Sequence, residues 1–388
     1  MRRTRLAAVP FGLAVALAVA SAPSRAGTPD PALFAFPGSS AGPASAVTAG
    51  AALADRWLGD EPFDNPAWSA RRGLELSPAL FHPSRQDLRA ANRNFTETAV
   101  YLDGAGGWIA LPLGRATLFA YGSQPVVRLE DNAFTRGTLS VDPVNPPARL
   151  ETQSEARERR VGGGFSWGDS GLRIGAAGEW TQRDDRYEVS ETSGSPLAGR
   201  RSISFSGQAV GLQAGVRLAR GLSGRHPITA GLGLRMVPAI PLAARDIFDP
   251  VLPGPSDTSE FTVERGSSWE GGVSARFGVS EGFTMTAAAG GHGAQPWNGL
   301  GATAGAGSMW SIAGAYHLAE EPWAVRFGFG QERQSGVPEP RADLLGLGFG
   351  WVSEGPRVEV GVLRRDIRRD RSPTSYEDRV VVSVGVTF

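Results

Sequence analysis

Gly168-Asp169-Ser170-Gly171 has the residue order found around a serine-protease nucleophile, chemistry that needs a histidine base within hydrogen-bond reach of the hydroxyl. The partner would be His82, which precedes Pro83 in an extended stretch, and no cysteine framework supports such a site. The same four residues are what a tight hairpin turn uses, and that is the reading adopted. His226, His292 and His317 fall on a turn, a loop and a strand without the spacing of metal ligands, so no metal is expected. Gly299, Gly301 and Ala304 imitate a dinucleotide fingerprint, yet no strand-to-helix unit follows. No nucleophile and base pair emerges, so neither catalytic residues nor a cofactor is expected. One further cluster has a mechanism: Arg364, Arg365, Arg368, Arg369 and Arg371 surround Asp366 and Asp370, and guanidinium groups bind phosphate bidentately. The competing reading is a solvated loop held by its own Arg–Asp pairs.

The elements that must carry these residues are period-two strands. Val161, Gly163, Phe165 and Trp167 alternate into the 168–171 turn, and Leu172, Ile174, Ala176, Gly178 and Trp180 alternate out of it against Arg173, Gly175, Ala177 and Glu179. That is a hairpin with one apolar side. Ile228 to Met236, Trp269 to Val279, Trp323 to Phe329 and Leu345 to Trp351 repeat the phase, with Gly, Ser, Thr, Gln, Glu and Arg on the opposite set. An Arg facing lipid at the midplane of a bilayer costs roughly 2–4 kcal/mol, so the polar set must line an interior and the apolar set must face lipid. Trp167, Trp180, Trp269, Trp310, Trp323, Trp351 and Tyr316 are placed to form aromatic girdles at the two interfaces.

Both ends of the chain agree with this reading. Val380, Val382, Val384, Val386 and Phe388 share one face of the last strand, and Val384, Val386 and the terminal Phe388 match the signal read by the barrel-assembly machinery. Arg2, Arg3 and Arg5 precede an apolar run from Leu6 to Ala20 and the small-residue site Ser24-Arg25-Ala26, so residues 1–26 are expected to be a cleaved secretory signal. With 52 Gly, no Cys, 41% hydrophobic residues and no second long apolar run, the chain cannot encode a bundle of membrane helices. A net charge of zero gives no argument for nucleic acid as a partner.

The fold expected is therefore all-β: a transmembrane antiparallel β-barrel of about fourteen strands over 73–388, in a bacterial outer membrane. The strands fall near 74–84, 98–112, 114–129, 156–167, 172–187, 201–218, 227–237, 260–279, 282–291, 302–318, 322–332, 341–352, 357–367 and 377–388. The longest links, Glu130 to Glu155 and Pro238 to Ser259, are expected to be extracellular loops. Ile203, Phe205 and Gly207 sit out of step with Val210 to Leu218, which predicts a bulge near Ala209. In this orientation Arg364, Arg365, Arg368 and Arg369 reach the level of the lipopolysaccharide phosphates, which become their expected ligand, with outer-membrane lipid around the wall.

Residues 27–72 neither alternate nor read strongly as helix, and are expected to form an N-terminal plug inside the lumen. Ser40-Ala41-Gly42, Gly50-Ala51-Ala52-Leu53-Ala54-Asp55, Asn65-Pro66-Ala67 and Leu74-Glu75-Leu76-Ser77-Pro78 resemble the amino-terminal hatch of the long-chain fatty acid transporter family of outer-membrane proteins. Related secretion-system barrels carry a similar pattern. Asp55 is followed here by Arg56, where the family commonly has paired acids. The resemblance implies a hatch inside a fourteen-stranded barrel, with Gly50, Ala54, Asp55, Asn65, Pro66 and Ala67 as hatch residues, whose displacement admits small hydrophobic compounds. Phe34, Phe36, Trp57, Phe63 and Trp68 would then touch a hydrophobic ligand, or else pack the plug against the wall. Hatch-gated transport of fatty-acid-like molecules is the leading functional expectation. A scaffold or shuttle barrel of an export system is the second and a general porin the third.

Overall fold

The computed structural model describes residues 57–58, 63–67, 73–77, 82–90, 93–101, 105–136, 148–192, 199–222, 226–250, 255–280, 282–298, 302–317, 322–335, 341–352, 356–369 and 372–387. In chain order the strands are β1 (Gly73–Ser77), β2 (His82–Ala90), β3 (Arg93–Tyr101), β4 (Ala105–Leu113), β5 (Ala116–Arg136), β6 (Ala148–Gly168), β7 (Leu172–Thr192), β8 (Gly199–Leu222), β9 (His226–Val237) and β10 (Ile240–Pro250). They continue with β11 (Asp257–Arg265), β12 (Ser268–Ser280), β13 (Phe283–His292), β14 (Gln295–Asn298), β15 (Ala302–Ala304), β16 (Gly307–His317), β17 (Trp323–Gln334), β18 (Arg341–Val352), β19 (Pro356–Arg369) and β20 (Ser372–Thr387). All pairings are antiparallel. No helix among the described residues is long and apolar enough to cross a membrane, a fact that says nothing against crossing with strands.

The pairings run β1–β4–β5–β6–β7–β8–β9, then β12–β13–β16–β17–β18–β19–β20, and from β20 back to β1. This circuit has fourteen members, and each expected segment overlaps one of them. Its outer face is apolar and exposed: Phe165, Leu212, Leu232, Val273, Ile312, Phe329, Leu345 and Val360 all point away from the lumen. Their inward neighbours Ser166, Gln213, Ser274 and Ser311 are buried. On β7 the apolar set ends at Trp180, after which Gln182, Asp184 and Arg186 take the same face. Nine residues, Leu172 to Trp180, suffice for a tilted strand to cross the hydrocarbon.

Three hairpins add to this wall. β2–β3 pairs onto the far half of β5 (Phe95↔Phe134 to Tyr101↔Arg128), β10–β11 pairs onto the far part of β8 (Ser206↔Ala243 to Gly199↔Pro250), and β14–β15 joins β11 through Glu264↔Asn298. Several expectations are corrected here. The links Glu130–Glu155 and Pro238–Ser259 are largely strand, because a ribbon in water needs no lipid-facing stripe and the alternation rule is blind to it. Segments 260–279 and 302–318 are each interrupted, at Gly266-Ser267 and Gly305-Ala306, while segments 74–84 and 98–112 include residues 78–81 and 102–104, which lie outside the described residues. The bulge at Ala209 is absent: β8 holds one register with β7 from Gly199 to Leu218. What changes there is the neighbour on its other edge, β10 up to Ser206 and β9 from Leu212. Phe205 instead faces Phe261 of β11, ring centroids 6.5 Å apart, so apolarity swaps faces without a backbone slip. His292, expected in a loop, ends β13 facing inward and is buried.

Gly168-Asp169-Ser170-Gly171 is a turn. The Asp169 N–H donates to Leu172 O (3.0 Å), and Asp169 Oδ1 accepts from the N–H groups of Leu172 (3.0 Å) and Gly171 (2.8 Å). Gly168 sits at φ 144°, where only glycine is at ease. The backbone donors of Leu172 and then Gly171 hold the Asp169 carboxyl below its ordinary value. Its stabilising effect is thus present above the unfolded carboxylate pKa of about 3.9 and fades as pH falls through the lowered folded value. Unfolding curves should therefore separate Asp169→Ala from wild type above about pH 4 and converge in stronger acid. Leu232→Arg, by contrast, is expected to cost roughly 2–4 kcal/mol of folding free energy into liposomes, measured by denaturant titration.

Candidate functional site

Five glycines stand directly opposite one another across five neighbouring strands: Gly175 of β7, Gly215 of β8, Gly233 of β9, Gly272 of β12 and Gly290 of β13. All belong to the inward phase, and together they leave a level of the inner wall with no side chains. The plug segment fills it. A Cβ added to Gly175 would lie 2.1 Å from Pro66 O, one on Gly215 1.9 Å from Asn65 Oδ1, and one on Gly231, one step along β9, 1.8 Å from Trp57 O. Real Cβ atoms do not come so close, so the wall must be glycine here for the plug backbone to approach it.

Trp57 is the anchor. Its indole lies over Gly233, Gly272 and Gly290, each of which would collide with the ring if it carried a Cβ (2.7, 2.6 and 2.2 Å), and it packs with Ala288, Met309, Ala313 and Leu344. The Trp57 N–H donates to Ser274 Oγ at 3.3 Å. Asn65 fixes the shape of the segment: its Nδ2 donates to Trp57 O (2.6 Å) and to Val216 O of β8 (3.2 Å), while its Oδ1 accepts from the Ala67 N–H (2.9 Å). Pro66 cannot donate and leaves that geometry uncontested. Phe63 enters a second apolar cluster with Phe119, Tyr121 and Ala177, meeting Tyr121 edge-on at 5.1 Å.

Above this level the lumen carries buried charge. Arg235 donates to Phe63 O (2.5 Å), pairs with Glu270 (3.2 Å) and Glu179 (3.5 Å), and lies 3.9 Å from Asp64 of the plug. Glu179 accepts from Tyr121 Oη and Gln213 Nε2, both at 2.8 Å. Arg160 bridges from Glu179 (3.9 Å) to Glu158 (2.6 Å), and Glu158 also holds Arg183 (3.2 Å) and Arg265 of β11 (3.0 Å). With Asp185 on Arg183, five carboxylates face four guanidinium groups, near balance in a site from which water is excluded. Arg235 is thus the residue through which the plug is tied electrostatically to three wall strands.

Of the expected hatch residues, Asn65, Pro66 and Ala67 are buried within the lumen against β7 and β8, whereas Gly50, Ala54 and Asp55 lie outside the described residues. Trp57 and Phe63 are buried in packing against the wall; Phe34, Phe36 and Trp68 lie outside. Arg364, Arg365, Arg368 and Arg369 are in β19, where Arg364 pairs with Asp378 and Arg365 with Glu377 in register, but their side chains are not among those described. Val384 and Val386 pair with β19 and β1, and Phe388 lies outside, as does segment 1–26. Sequence reasoning missed Arg235, Glu179, Glu158 and Arg265, although a charge at an inward position of an otherwise apolar ribbon was the available signal. Among the described residues no group of His, Asp or Glu is placed to hold a metal ion.

No protein-family model and no curated protein matches the chain. Solved structures do. The CymD monoaromatic hydrocarbon channel matches at a TM-score of 0.54 and 12% identity, over 91% of this chain and 99% of that one. A TodX monoaromatic hydrocarbon channel lacking S2 and S3 matches at 0.57 and 13%, over 84% and 93%. The Ralstonia pickettii toluene transporter TbuX matches at 0.52 and 14%, over 91% and 100%. At such identities the likeness is one of fold.

Removing the Arg235 guanidinium takes a buried positive partner from Glu179, Glu270 and Asp64 at once, a loss of about 3–5 kcal/mol for a broken buried pair. Arg235→Met should loosen the plug and raise the permeability of reconstituted liposomes to small sugars, with Arg235→Lys intermediate. Swelling rates equal to wild type for both would show that this residue does not hold the segment.

Proposed function

We propose that the chain is an outer-membrane channel that admits small hydrophobic compounds through its barrel, with residues 27–72 as a hatch that must shift for passage. The observation that carries this reading is the seat of Trp57 and Asn65-Pro66-Ala67 on the glycine row, because a wall stripped of side chains to receive a plug has no use in an open pore. Solved channels of this fold that are described as serving monoaromatic hydrocarbons and toluene support the substrate class. Within it, small aromatic hydrocarbons fit better than long acyl chains, since the apolar seat beside the plug is short. The reading further takes 1–26 as a cleaved export signal, Gly50, Ala54 and Asp55 as hatch residues with 65–67, and Phe34, Phe36 and Trp68 as apolar lining. Val384, Val386 and Phe388 serve barrel assembly, and Arg364, Arg365, Arg368 and Arg369 bind lipopolysaccharide phosphates.

A scaffold or shuttle role in export is the second reading, favoured by β5 to β8, which run 21 to 24 residues and carry the wall well past the apolar band. Uptake of radiolabelled toluene and of a long-chain fatty acid by cells with and without the gene separates the two. Faster entry of toluene with the gene present is expected, and a chain lacking 27–72 should lose selectivity against polar solutes. Equal uptake of every hydrophobic compound by both strains would defeat the transport reading.

A further inference from the structure

We propose that the slot now filled by the Trp57 indole is itself a binding site for a small planar aromatic molecule, so that the plug residue and the permeating compound compete for one seat. This rests on the hatch reading above and goes beyond it by naming the site and the shape it selects. The floor of the slot is three glycines on adjoining strands, Gly233, Gly272 and Gly290, directly opposite one another in register. With no Cβ on any of them, a flat ring can lie against the backbone, and the indole does so along its length, Cδ1 over Gly233 and Cη2 over Gly272 and Gly290. Ala288, on β13 beside Gly290, and Met309, Ala313 and Leu344 of wall strands further round pack about the same ring, all nine-tenths or more buried. A flat floor of bare peptide with apolar side chains around it makes a seat shaped to a ring, which a planar aromatic molecule fills better than a flexible alkyl chain.

The indole is held by its neighbours rather than by its own backbone rigidity. The described segment is also tied to the wall by polar contacts: Ser274 Oγ to the Trp57 N–H, Asn65 Nδ2 to Val216 O, and Arg235 to Phe63 O and Asp64. A ligand that takes the slot replaces the contacts of the Trp57 side chain with the floor and its apolar surround, and leaves the segment on these tethers. Occupancy of the slot and displacement of the plug then become one event.

The test uses the full-length protein in detergent. In Trp57→Ala the slot becomes an apolar cavity of the kind that stays dry and takes up aromatic molecules. Indole and toluene should raise the thermal midpoint of this variant saturably, raise that of wild type less because the indole must first be displaced, and lose their effect when Gly272→Leu is added; n-octane should do little. A folded Trp57→Ala protein indifferent to both aromatics, or answering octane equally, would overturn the proposal. Should the variant not fold, the chain's lack of cysteine allows a single thiol at buried Ala67. Maleimide labelling of Ala67→Cys in otherwise wild-type protein should accelerate saturably with toluene, and labelling that is blind to toluene would equally sink the idea. Aromatic binding by Trp57→Ala together with unchanged toluene uptake by cells would leave the slot standing and remove the transport reading instead.

Discussion

A peptide group in hydrocarbon has no water to bond, so every backbone N–H and C=O at membrane depth must find a partner in the chain itself. That constraint organises the whole molecule. It forces the wall strands into a circuit, and even β1, only five residues long, is paired on both edges, to β4 and to β20. Once pairing is obligatory on both edges, side chains have only two directions left, and lipid decides between them. Phe165, Leu212, Leu232 and Ile312 can face outward at no cost, while Glu179, Gln213, Arg235 and Glu270 cannot, and so the polar half of every ribbon is driven into the lumen.

A lumen lined this way would be wet unless something filled it. The glycine row supplies the room, and the plug supplies the filling: at Gly215 and Gly231 the segment's own atoms occupy the volume where wall side chains would be. Filling a polar interior with a peptide segment raises a second demand, since the carbonyls of Trp57 and Phe63 are buried and need donors. Asn65 meets the first and Arg235 the second. Arg235 is in turn affordable in a buried place only because Glu179 and Glu270 flank it, and those acids need Tyr121, Gln213 and Arg160. The charge network is thus the consequence of seating a backbone inside the barrel, propagated strand by strand until the charges balance.

The wall was legible in the sequence because lipid imposes a strict rule on it: a single misplaced Arg is costly, so the period-two pattern is kept wherever a strand crosses the hydrocarbon, as from Leu172 to Trp180 and from Leu345 to Phe349. Where the rule lapses, legibility lapses too. The ribbons beyond Trp180 carry Gln182, Asp184 and Arg186 on the face that lipid had kept apolar, and so β10, the first residues of β11 and the end of β5 from Glu130 read as loop. Ile203 and Phe205 misled for the related reason that apolar residues above the membrane follow their local neighbour, Phe261, and not the lipid phase. Asn65-Pro66-Ala67 was legible as a motif, but its function as a bracket between Trp57 and Val216 was not, because Val216 lies 151 residues away on another strand. The glycine row was hidden for a different reason. Each glycine looks ordinary in its own strand, and only register, which the sequence does not state, aligns five of them.

Register also explains why the plug is more than an obstruction. Behind the seat, the lipid face of β9, β12 and β13 is itself small: Ala230, Ala275, Ala287 and Ala289 floor a shallow apolar trough of about 430 Å³ between Val216, Leu218, Leu232 and Val273. At this level the inner face of the wall has only glycine, Ser274 and Ala288, so on that face the cross-strand side-chain contacts that ordinarily stabilise a sheet are nearly missing. Glycine within a strand costs conformational entropy besides. The strands here are held by their backbone ladder and by whatever packs on them. On the inner face that is Trp57 and the 63–67 segment. The plug therefore completes the wall it blocks, and a molecule able to replace Trp57 must match it in flatness and apolarity to keep those strands together while the segment is away.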